Sequence, residues 1–279
     1  MKGIGISHSA ISVLNAIPCG IGAVIGTELQ TVAEFQTGGD GIVIRMGHPE
    51  TDDLLARICV ARTLEALEEE RCGLLDIRSQ IPVSRGLKSS SAAANAIVAA
   101  VCSALRADKD RMWMLKLGVE CALEAKVTVT GAFDDACGCM FGGFVMTDNT
   151  EKKVLMAQDL ERMDVLLHVP SSHIRKDDGR VQLLRGRREE MMRIVETARH
   201  DPLQALTANG RLVAATMGLD DSLAQKALRH GALAAGISGT GPAVAILAPE
   251  GEGKTLMDEM GMEGLMITRT RRQEHGTGL

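Results

Sequence analysis

Aromatic side chains are scarce in this 279-residue chain, which has one Trp, four Phe and no Tyr. The chain also lacks an excess of positive charge, because its formal net charge is -5 at pH 7. Proteins that bind nucleic acids usually present a basic face, often with aromatic side chains that stack on bases. We therefore expect no nucleic-acid partner, although a local basic patch remains compatible with these totals.

No apolar run is long enough to cross a bilayer. The longest, 92–105, is interrupted by Asn95 and Ser103, and a spanning helix needs about 20 apolar residues. The first eight residues also lack the continuous apolar core of a signal peptide. We expect a cytoplasmic protein with no membrane association.

Paired cysteine motifs are missing as well. The chain has seven cysteines, an odd number, and none of them forms a Cys-x-x-Cys motif. Most lie in apolar, helix-like stretches, which predicts buried, reduced thiols rather than disulfides or a metal site. The seven histidines are scattered, and no pair has the spacing of helical metal ligands.

The chain does have the composition of a folded globular protein, with 45% apolar and 24% charged residues. Strand patterns at 22–36 and 42–46 open it, and a hairpin pattern surrounds the turn residues Asp148 and Asn149. The pattern changes near residue 160, which predicts two domains, 1–160 and 161–279. A polar and basic stretch, 171–188, reads as a mobile loop ahead of helical patterns.

The sharpest motif follows a predicted strand and precedes a helix of small residues. Gly86 permits a tight turn, Lys88 supplies positive charge, and three serines follow at the helix start. The first N–H groups of a helix lack internal partners and favour an anion, so this segment suits a phosphate. A serine-rich helix cap is the plainer alternative. The residues of this predicted phosphate loop are Pro82, Val83, Ser84, Arg85, Gly86, Leu87, Lys88, Ser89, Ser90, Ser91 and Ala92.

Two further features can be grouped with this loop. The turn 236–242 has three glycines with hydroxyl residues between them, and it can wrap around a ligand or around another loop. Glu124 precedes the segment 130–135, which ends in Asp134 and Asp135. Carboxylates beside a phosphate suit magnesium binding and proton abstraction from a hydroxyl. Taken singly, each of these carboxylates reads as a solvated or helix-capping residue.

Two other glycine-rich segments resemble nucleotide loops less well. The segment 20–26 has one residue too many for a dinucleotide fingerprint, and strand patterns follow it rather than a helix. The segment 248–255 nearly matches the P-loop, but Ala248 replaces its first glycine. Glu250 and Glu252 would repel phosphates there. We interpret it as a polar loop before a helix.

Together, the loop 82–92, the carboxylates and the turn 236–242 resemble the GHMP kinase superfamily, with the motifs in the family's order along most of the chain. Within that family, the Gly-Leu-Lys-Ser-Ser-Ser-Ala and Thr-Gly-Ala-Phe-Asp-Asp segments are most similar to the archaeal shikimate kinases, as is the opening around Asn15. The resemblance implies an α+β, two-domain fold. Its N-terminal domain is a ribosomal-protein-like α/β unit that binds ATP, and its C-terminal domain is ferredoxin-like.

The resemblance also implies roles for individual residues. ATP phosphates are expected on the loop 82–92 and on Gly239 and Gly241. Ser90 and Glu124 match the family's magnesium ligands, and Lys88 replaces a glycine found in most members. Asp135 matches the catalytic aspartate by its distance from Gly142, but its neighbour Asp134 stays open as the acting residue.

The implied activity is phosphorylation of shikimate to shikimate 3-phosphate, with ATP and Mg²⁺ as cofactors. Homoserine kinase, mevalonate kinase and a non-catalytic ligand sensor on the same fold remain alternatives. The carboxylate of shikimate calls for an arginine or lysine. Without choosing among them, the sequence offers Arg175, Lys176, Arg180, Arg269 and Arg271. The oligomeric state is not readable from the sequence.

Overall fold

The structure is a computed structural model that describes residues 1–47, 52–70, 72–83, 85–170 and 178–274. These residues form nineteen helices and strands, and the strands build two sheets with helices packed against them. The fold class is therefore α+β, as expected. Among the described helices, none combines the length and the apolar character that crossing a membrane requires.

The first sheet holds six strands in the described part of the chain. They are β1 (Lys2–Leu14), β2 (Ile21–Thr37), β3 (Ile42–Met46), β4 (Gly73–Ser79), β5 (Phe144–Asp148) and β6 (Lys153–Gln158). Their order is β3-β4-β2-β5-β6, and β1 pairs with β2. Only the β3–β4 pair is parallel among these. The predicted strands at 22–36 and 42–46 are confirmed by β2 and β3.

Four helices accompany this sheet: α1 (Leu54–Ala66), α2 (Ser89–Leu105), α3 (Arg111–Glu124) and α4 (Phe133–Phe141). Helix α2 is the central one, and most of its residues are buried. Its small side chains allow it to pack closely on β1 and β2 while α1, α3 and α4 contact its other sides. This packing places the N-terminal end of α2 beside the C-terminal end of β1.

The second sheet holds four antiparallel strands in the order β10-β7-β9-β8. They are β7 (Met163–His168), β8 (Ala234–Ile237), β9 (Val244–Pro249) and β10 (Met266–Arg269). The helices of this half are α5 (Asp178–Arg185), α6 (Arg188–Ala198), α7 (Pro202–Met217), α8 (Ser222–Arg229) and α9 (Gly253–Glu259).

The expected loop at 171–188 is wrong in part, because helix α5 occupies Asp178–Arg185. Val181 and Leu184 are buried on one side of this helix, and Leu184 joins a hydrophobic cluster with residues of α7 and β9. The polar and charged residues on both sides of them in the sequence hid this short apolar face from the sequence pattern. Residues 171–177 lie outside the described residues.

The two halves share hydrophobic packing and a returning chain segment. One core cluster contains Ile11 of β1 as well as Leu167 and Leu206 from the second half. After β10 the chain returns to the first sheet, where the N–H of Arg271 donates to the Gly26 carbonyl at 2.8 Å. The division into domains 1–160 and 161–279 stays a prediction.

Candidate active site

A cleft of about 680 Å³ opens where the end of β1, the start of α2, the loop before α4 and the turn after β8 come together. Its lining residues are Ser12, Leu14, Asn15, Ala16, Ile17, Gly86, Lys88, Ser89, Ser90, Ser91, Ala122, Val127, Thr128, Val129, Thr130, Ala132, Asp134, Asp135, Gly239, Thr240 and Gly241. The structure thus brings together the phosphate loop, both aspartates and the late glycine-rich turn, which are far apart in sequence.

Gly86 is where the two glycine-rich segments contact each other. Its φ is +88°, in the left-handed region, and a Cβ there would lie 2.2 Å from the Ser238 carbonyl oxygen. The Ser238 hydroxyl donates to the Gly86 carbonyl at 2.8 Å. The turn 236–242 therefore wraps around the other loop, which was one of its two predicted uses.

At the start of α2, backbone N–H groups have no partner in the part of the chain that the structure describes. Lys88 is the N-cap and adopts a left-handed conformation, and no side chain caps the helix. The first helical bond runs from the Ala92 N–H to the Lys88 carbonyl at 3.0 Å. The N–H groups of residues 89–91 precede that bond, at the end of the helix whose partial positive charge favours an anion.

The predicted phosphate loop reaches the cleft only in part. Gly86, Lys88, Ser89, Ser90 and Ser91 line it, together with Gly239 and Gly241. The other described members, Pro82, Val83, Arg85, Leu87 and Ala92, do not line it. Leu87 and Ala92 are fully buried in the core, because a loop that carries a helix start must anchor on apolar side chains. Ser84 lies outside the described residues.

Lys88 is buried and makes two polar contacts. Its ammonium lies 2.8 Å from a carboxylate oxygen of Asp135, and it donates to the Ser12 hydroxyl oxygen at 2.6 Å. Burial lowers the pKa of Lys88, but the charges of Asp135 and Asp134 raise it by more, so it lies above its ordinary value. The lysine therefore carries a fixed positive charge at the cleft.

Asp134 and Asp135 open helix α4 and occupy different environments. The Asp135 side chain is 18% exposed and pairs with Lys88, whereas the Asp134 residue is 3% exposed. The Asn149 side chain bonds both the backbone and the carboxylate of Asp134. Its amide oxygen accepts the Asp134 N–H at 3.1 Å, and its amide nitrogen donates to Oδ1 of Asp134 at 2.7 Å. Burial, reinforced by the charge of Asp135, raises the pKa of Asp134 to about 7.

Gly22 leaves room for the carboxyl group of Asp134. A Cβ at this position of β2 would lie 2.3 Å from Oδ2 of Asp134. Glycine at this point of the strand therefore admits a carboxyl group that any side chain would displace. This close approach is one physical reason for the glycine-rich sequence 20–26, which was correctly not interpreted as a dinucleotide loop.

Glu124 is not brought together with Ser90. It ends α3 and does not line the cleft; its carboxylate accepts a hydrogen bond from Arg62 of α1 at 2.8 Å. The two side chains are about half exposed, at 46% and 50%. Ser90 therefore lines the cleft while Glu124 pairs with α1, and the magnesium-ligand roles of both residues stay a prediction. Within the described residues, no three His, Cys, Asp or Glu side chains form a cluster that could hold a metal ion.

The candidate cations for a substrate carboxylate fall into two groups. Arg269 pairs with Asp164, and Arg271 bonds Glu274 and the Cys139 carbonyl; neither lines the cleft. These two arginines instead fix the returning chain segment. Arg175 and Lys176 lie outside the described residues, as does the side chain of Arg180.

The P-loop-like segment 248–255 has an internal acceptor. One carboxylate oxygen of Asp164 accepts the N–H groups of Gly251 and Gly253, each at 3.0 Å. The amides that could have bound a phosphate are therefore already bonded to a carboxylate. This confirms the interpretation of the segment as a loop before a helix, α9.

All seven cysteines are free thiols, five buried and two half-buried. Burial raises the pKa of Cys137 and Cys139, which stand within α4, so their thiolate forms are disfavoured. These cysteines have the character of small core residues, as expected.

Sequence comparison identifies the family. Residues 55–143 match the family described as GHMP kinases N terminal domain, and residues 180–262 match GHMP kinases C terminal. The chain belongs to the GHMP kinases. A solved GHMP kinase structure supports the fold: Methanococcus jannaschii mevalonate kinase aligns with a TM-score of 0.79 over 99% of both chains, at 17% identity.

Two curated relatives of this GHMP kinase have a higher sequence identity to it than this mevalonate kinase has. It is 38% identical to a shikimate kinase of Methanothrix thermoacetophila, over 96% of this chain and 93% of that protein. It is 37% identical to a shikimate kinase of Pyrococcus abyssi, over 90% of this chain and 93% of that protein. Both matches span at least 90% of this chain.

Several residues of the cleft were not predicted from the sequence. Ser12 and the wall 127–129 carry no motif. Asn149 was predicted only as a turn residue, and its buried contact with Asp134 was not foreseen. Asn15, which the resemblance had noted, does line the cleft, and its amide donates to the Gly239 carbonyl at 3.0 Å. A polar residue at the end of a buried strand is the signal that could have identified Ser12.

Proposed function

We propose that this chain is an ATP-dependent shikimate kinase, which transfers the γ-phosphoryl group of ATP to a hydroxyl of shikimate and forms shikimate 3-phosphate. The carrying observation is the Lys88–Asp135 pair beside the uncapped start of α2. Relatives that are 37% and 38% identical over nearly the whole chain, both shikimate kinases, support the choice of acceptor. The cytoplasmic location stays a prediction.

The phosphates of ATP are best accommodated against the start of α2. Residues 89–91, whose N–H groups precede the first helical bond, line the cleft from one side, and Gly239, Thr240 and Gly241 line it from another. Phosphoryl transfer depends mainly on positioning and on charge stabilisation, so donors held rigidly by a helix and a turn are well suited to it. Lys88 adds a buried positive charge between these two walls.

The sequence left the base open between two aspartates, and we favour Asp135. It lines the cleft, its side chain is partly exposed, and it pairs directly with the Lys88 ammonium. Asp134 is held by Asn149 and packed against Gly22, so its role is to position its neighbour. In the reaction, Asp135 accepts or orients the proton of the acceptor hydroxyl, whose oxygen then attacks the γ-phosphorus.

Magnesium fits this cleft with the nucleotide rather than with the protein alone. Mg²⁺ in kinase sites is usually held by one or two carboxylates together with substrate phosphates. Ser90 supplies a hydroxyl oxygen in the cleft, and Glu124 supplies a carboxylate once its exposed pair with Arg62 opens. Such exposed pairs contribute about 0–1 kcal/mol, so opening costs little. When bound, the ion would offset charge on the phosphate oxygens.

The acceptor carboxylate needs a cation other than Lys88, which is already paired with Asp135. Lys88 is the one lysine or arginine among the described residues that line the cleft. We retain Arg175, Lys176 and Arg180 as the candidates for this contact. In the sequence, these residues follow the strand β7, and the last of them falls within the bounds of helix α5.

An acceptor panel tests the proposal. Purified protein is given ATP and magnesium with shikimate, homoserine or mevalonate in turn. ADP release is measured together with the mass of the product. We expect phosphorylated shikimate, and we expect Asp135→Asn, the matched control, to form at most about 1% as much per unit time. Turnover of homoserine or mevalonate instead would move the chain to another GHMP kinase activity, and ATP consumption without any phosphorylated acceptor would favour the sensor alternative.

A further inference from the structure

Ser12 connects the two glycine-rich segments at one oxygen atom. It lies near the end of β1 and is 2% exposed. Its Oγ accepts a hydrogen bond from the Lys88 ammonium at 2.6 Å and another from the Gly239 N–H at 2.9 Å. Its own backbone N–H donates to the Ser238 hydroxyl at 3.1 Å. A serine with no motif around it thus contacts both walls of the cleft.

The hydroxyl proton of Ser12 has no hydrogen-bond acceptor in the described part of the chain. A serine hydroxyl has two acceptor lone pairs and one O–H donor. Lys88 and Gly239 use the two lone pairs, and the O–H has no acceptor among the described residues. A buried donor left unpaired loses its hydrogen bond to water and gains none in its place. Since Ser12 lines the cleft, a ligand in the cleft can supply the acceptor.

The surroundings indicate which kind of acceptor this is. Lys88 and Gly239, the two donors to Ser12, belong to the segments that hold phosphate in the proposed function. A hydroxyl that accepts from an ammonium group is polarised and becomes a stronger donor itself. An anionic oxygen therefore suits the position better than a neutral hydroxyl group does.

We propose that Ser12 contacts the substrate directly during phosphoryl transfer, by donating its hydroxyl proton in a hydrogen bond to an oxygen of the γ-phosphoryl group. The same oxygen atom keeps the Lys88 ammonium and the Gly239 amide at fixed positions around that group. This inference rests on the proposed kinase function, but it does not depend on which alcohol accepts the phosphoryl group.

Ser9 provides a matched control on the same strand. It is fully buried, and its hydroxyl donates to the Leu87 carbonyl at 3.0 Å, so it also connects β1 with the phosphate loop. It does not line the cleft, and its hydroxyl bonds neither Lys88 nor Gly239. Loss of the Ser9 hydroxyl therefore reproduces the structural cost of removing a buried serine on β1 while leaving the proposed contact intact.

The test compares wild type with Ser12→Ala, Ser12→Thr and Ser9→Ala. Calorimetry measures the affinity for ADP alone and for ADP with aluminium fluoride, which mimics the phosphoryl group in transfer. We expect Ser12→Ala to weaken binding of the fluoride complex by at least about 10-fold and ADP by less than about 2-fold. Ser12→Thr keeps a hydroxyl and should recover most of the affinity, and Ser9→Ala should change neither value.

Equal affinity of wild type and Ser12→Ala for the fluoride complex would overturn the inference, as would an equal loss in Ser9→Ala. Loss of one such donor typically lowers kcat on the order of 100-fold, and the same variants should show this with the KM for ATP nearly unchanged. Because the fluoride titration needs no acceptor, it stays informative even where the panel shows that shikimate is not the substrate.

Discussion

The ammonium of Lys88 lies 2.8 Å from a carboxylate oxygen of Asp135, and both side chains are mostly buried. The lysine is the N-cap of α2 and the aspartate lies in the first turn of α4, so the pair joins the proposed site of the phosphates to that of the acceptor hydroxyl. One cation therefore contacts the base and can also offset charge on the group being transferred. This double use makes the two neighbouring aspartates unequal, and they can be tested separately.

Replacement of Asp135 by Asn should remove the proton acceptor while keeping the shape of the side chain. We expect kcat to fall by about 100-fold or more, with ATP affinity within about 3-fold of wild type. Asp134→Asn should lower kcat by less, because Asn149 and the packing against Gly22 still hold the residue. Steady-state kinetics and calorimetry with an ATP analogue check this. Nearly normal turnover in both variants would remove the base from this position.

The buried carboxyl of Asp134 should give the folded protein a characteristic pH dependence. Its pKa is raised from about 3.8 to about 7 on folding, so the folded state binds the proton more tightly than the unfolded state. The free energy of unfolding therefore loses up to about 1.4 kcal/mol per pH unit from this group as pH rises from about 4 to about 7. Urea unfolding at several pH values should show that Asp134→Asn removes this slope.

The titration of His8 changes the free energy of unfolding in the opposite direction, so the measurement needs a control. Burial, followed by the charge of Arg271, lowers its pKa to about 4, so the unfolded state binds that proton more tightly and stability rises with pH between about 4 and 6.5. The comparison must therefore be the difference between wild type and Asp134→Asn in identical buffers, from which His8 cancels. An unchanged slope in the variant would mean that Asp134 ionises normally in the folded protein.

Gly22 should tolerate no side chain while Asp134 is present. The added Cβ would lie 2.3 Å from Oδ2, so we expect Gly22→Ala to lower the free energy of unfolding by about 1–3 kcal/mol and to lower kcat. Gly41→Ala is the control, because a Cβ there meets nothing within 4 Å. The double variant Gly22→Ala with Asp134→Ala should recover part of the lost stability. Strictly additive losses would show that the clash lies elsewhere.

The pair between Glu124 and Arg62 allows a test of the metal ligand. If Glu124 leaves Arg62 to bind magnesium, Glu124→Gln should raise the magnesium concentration for half-maximal activity by about 10-fold. Arg62→Met frees the carboxylate and should not raise it. Activity is measured against magnesium concentration at saturating ATP. The same magnesium requirement in wild type and Glu124→Gln would mean that Glu124 stays on the surface with Arg62.

Sequence reasoning predicted the parts of the site that short-range physics determines. A glycine turn, a lysine and three serines before an alanine-rich helix indicate a phosphate loop, because helix starts attract anions wherever they occur. The order of the three motifs added the family resemblance and with it the fold. Even the two rejected glycine-rich segments could be interpreted correctly, one from its strand pattern and the other from its repelling glutamates.

The remaining features depend on long-range packing that no local pattern carries. Ser12 meets Lys88 only because β1 and α2 pack side by side, and Asn149 reaches Asp134 only because the turn after β5 lies over α4. Glu124 shows the reverse case: its position at the end of α3 was predicted, but the direction of its side chain depends on Arg62 from another helix. Local motifs predicted Lys88, Asp134 and Glu124, and tertiary packing decided which of them line the cleft.

The most direct test of this account is a crystal structure with a non-hydrolysable ATP analogue, magnesium and shikimate bound together. We predict the terminal phosphates against the backbone N–H groups of residues 89–91, with Gly239 and Gly241 on the other side. An acceptor hydroxyl should lie about 2.6–3.2 Å from the carboxylate of Asp135. Phosphates bound away from the start of α2, or an acceptor whose hydroxyls do not reach Asp135, would contradict it.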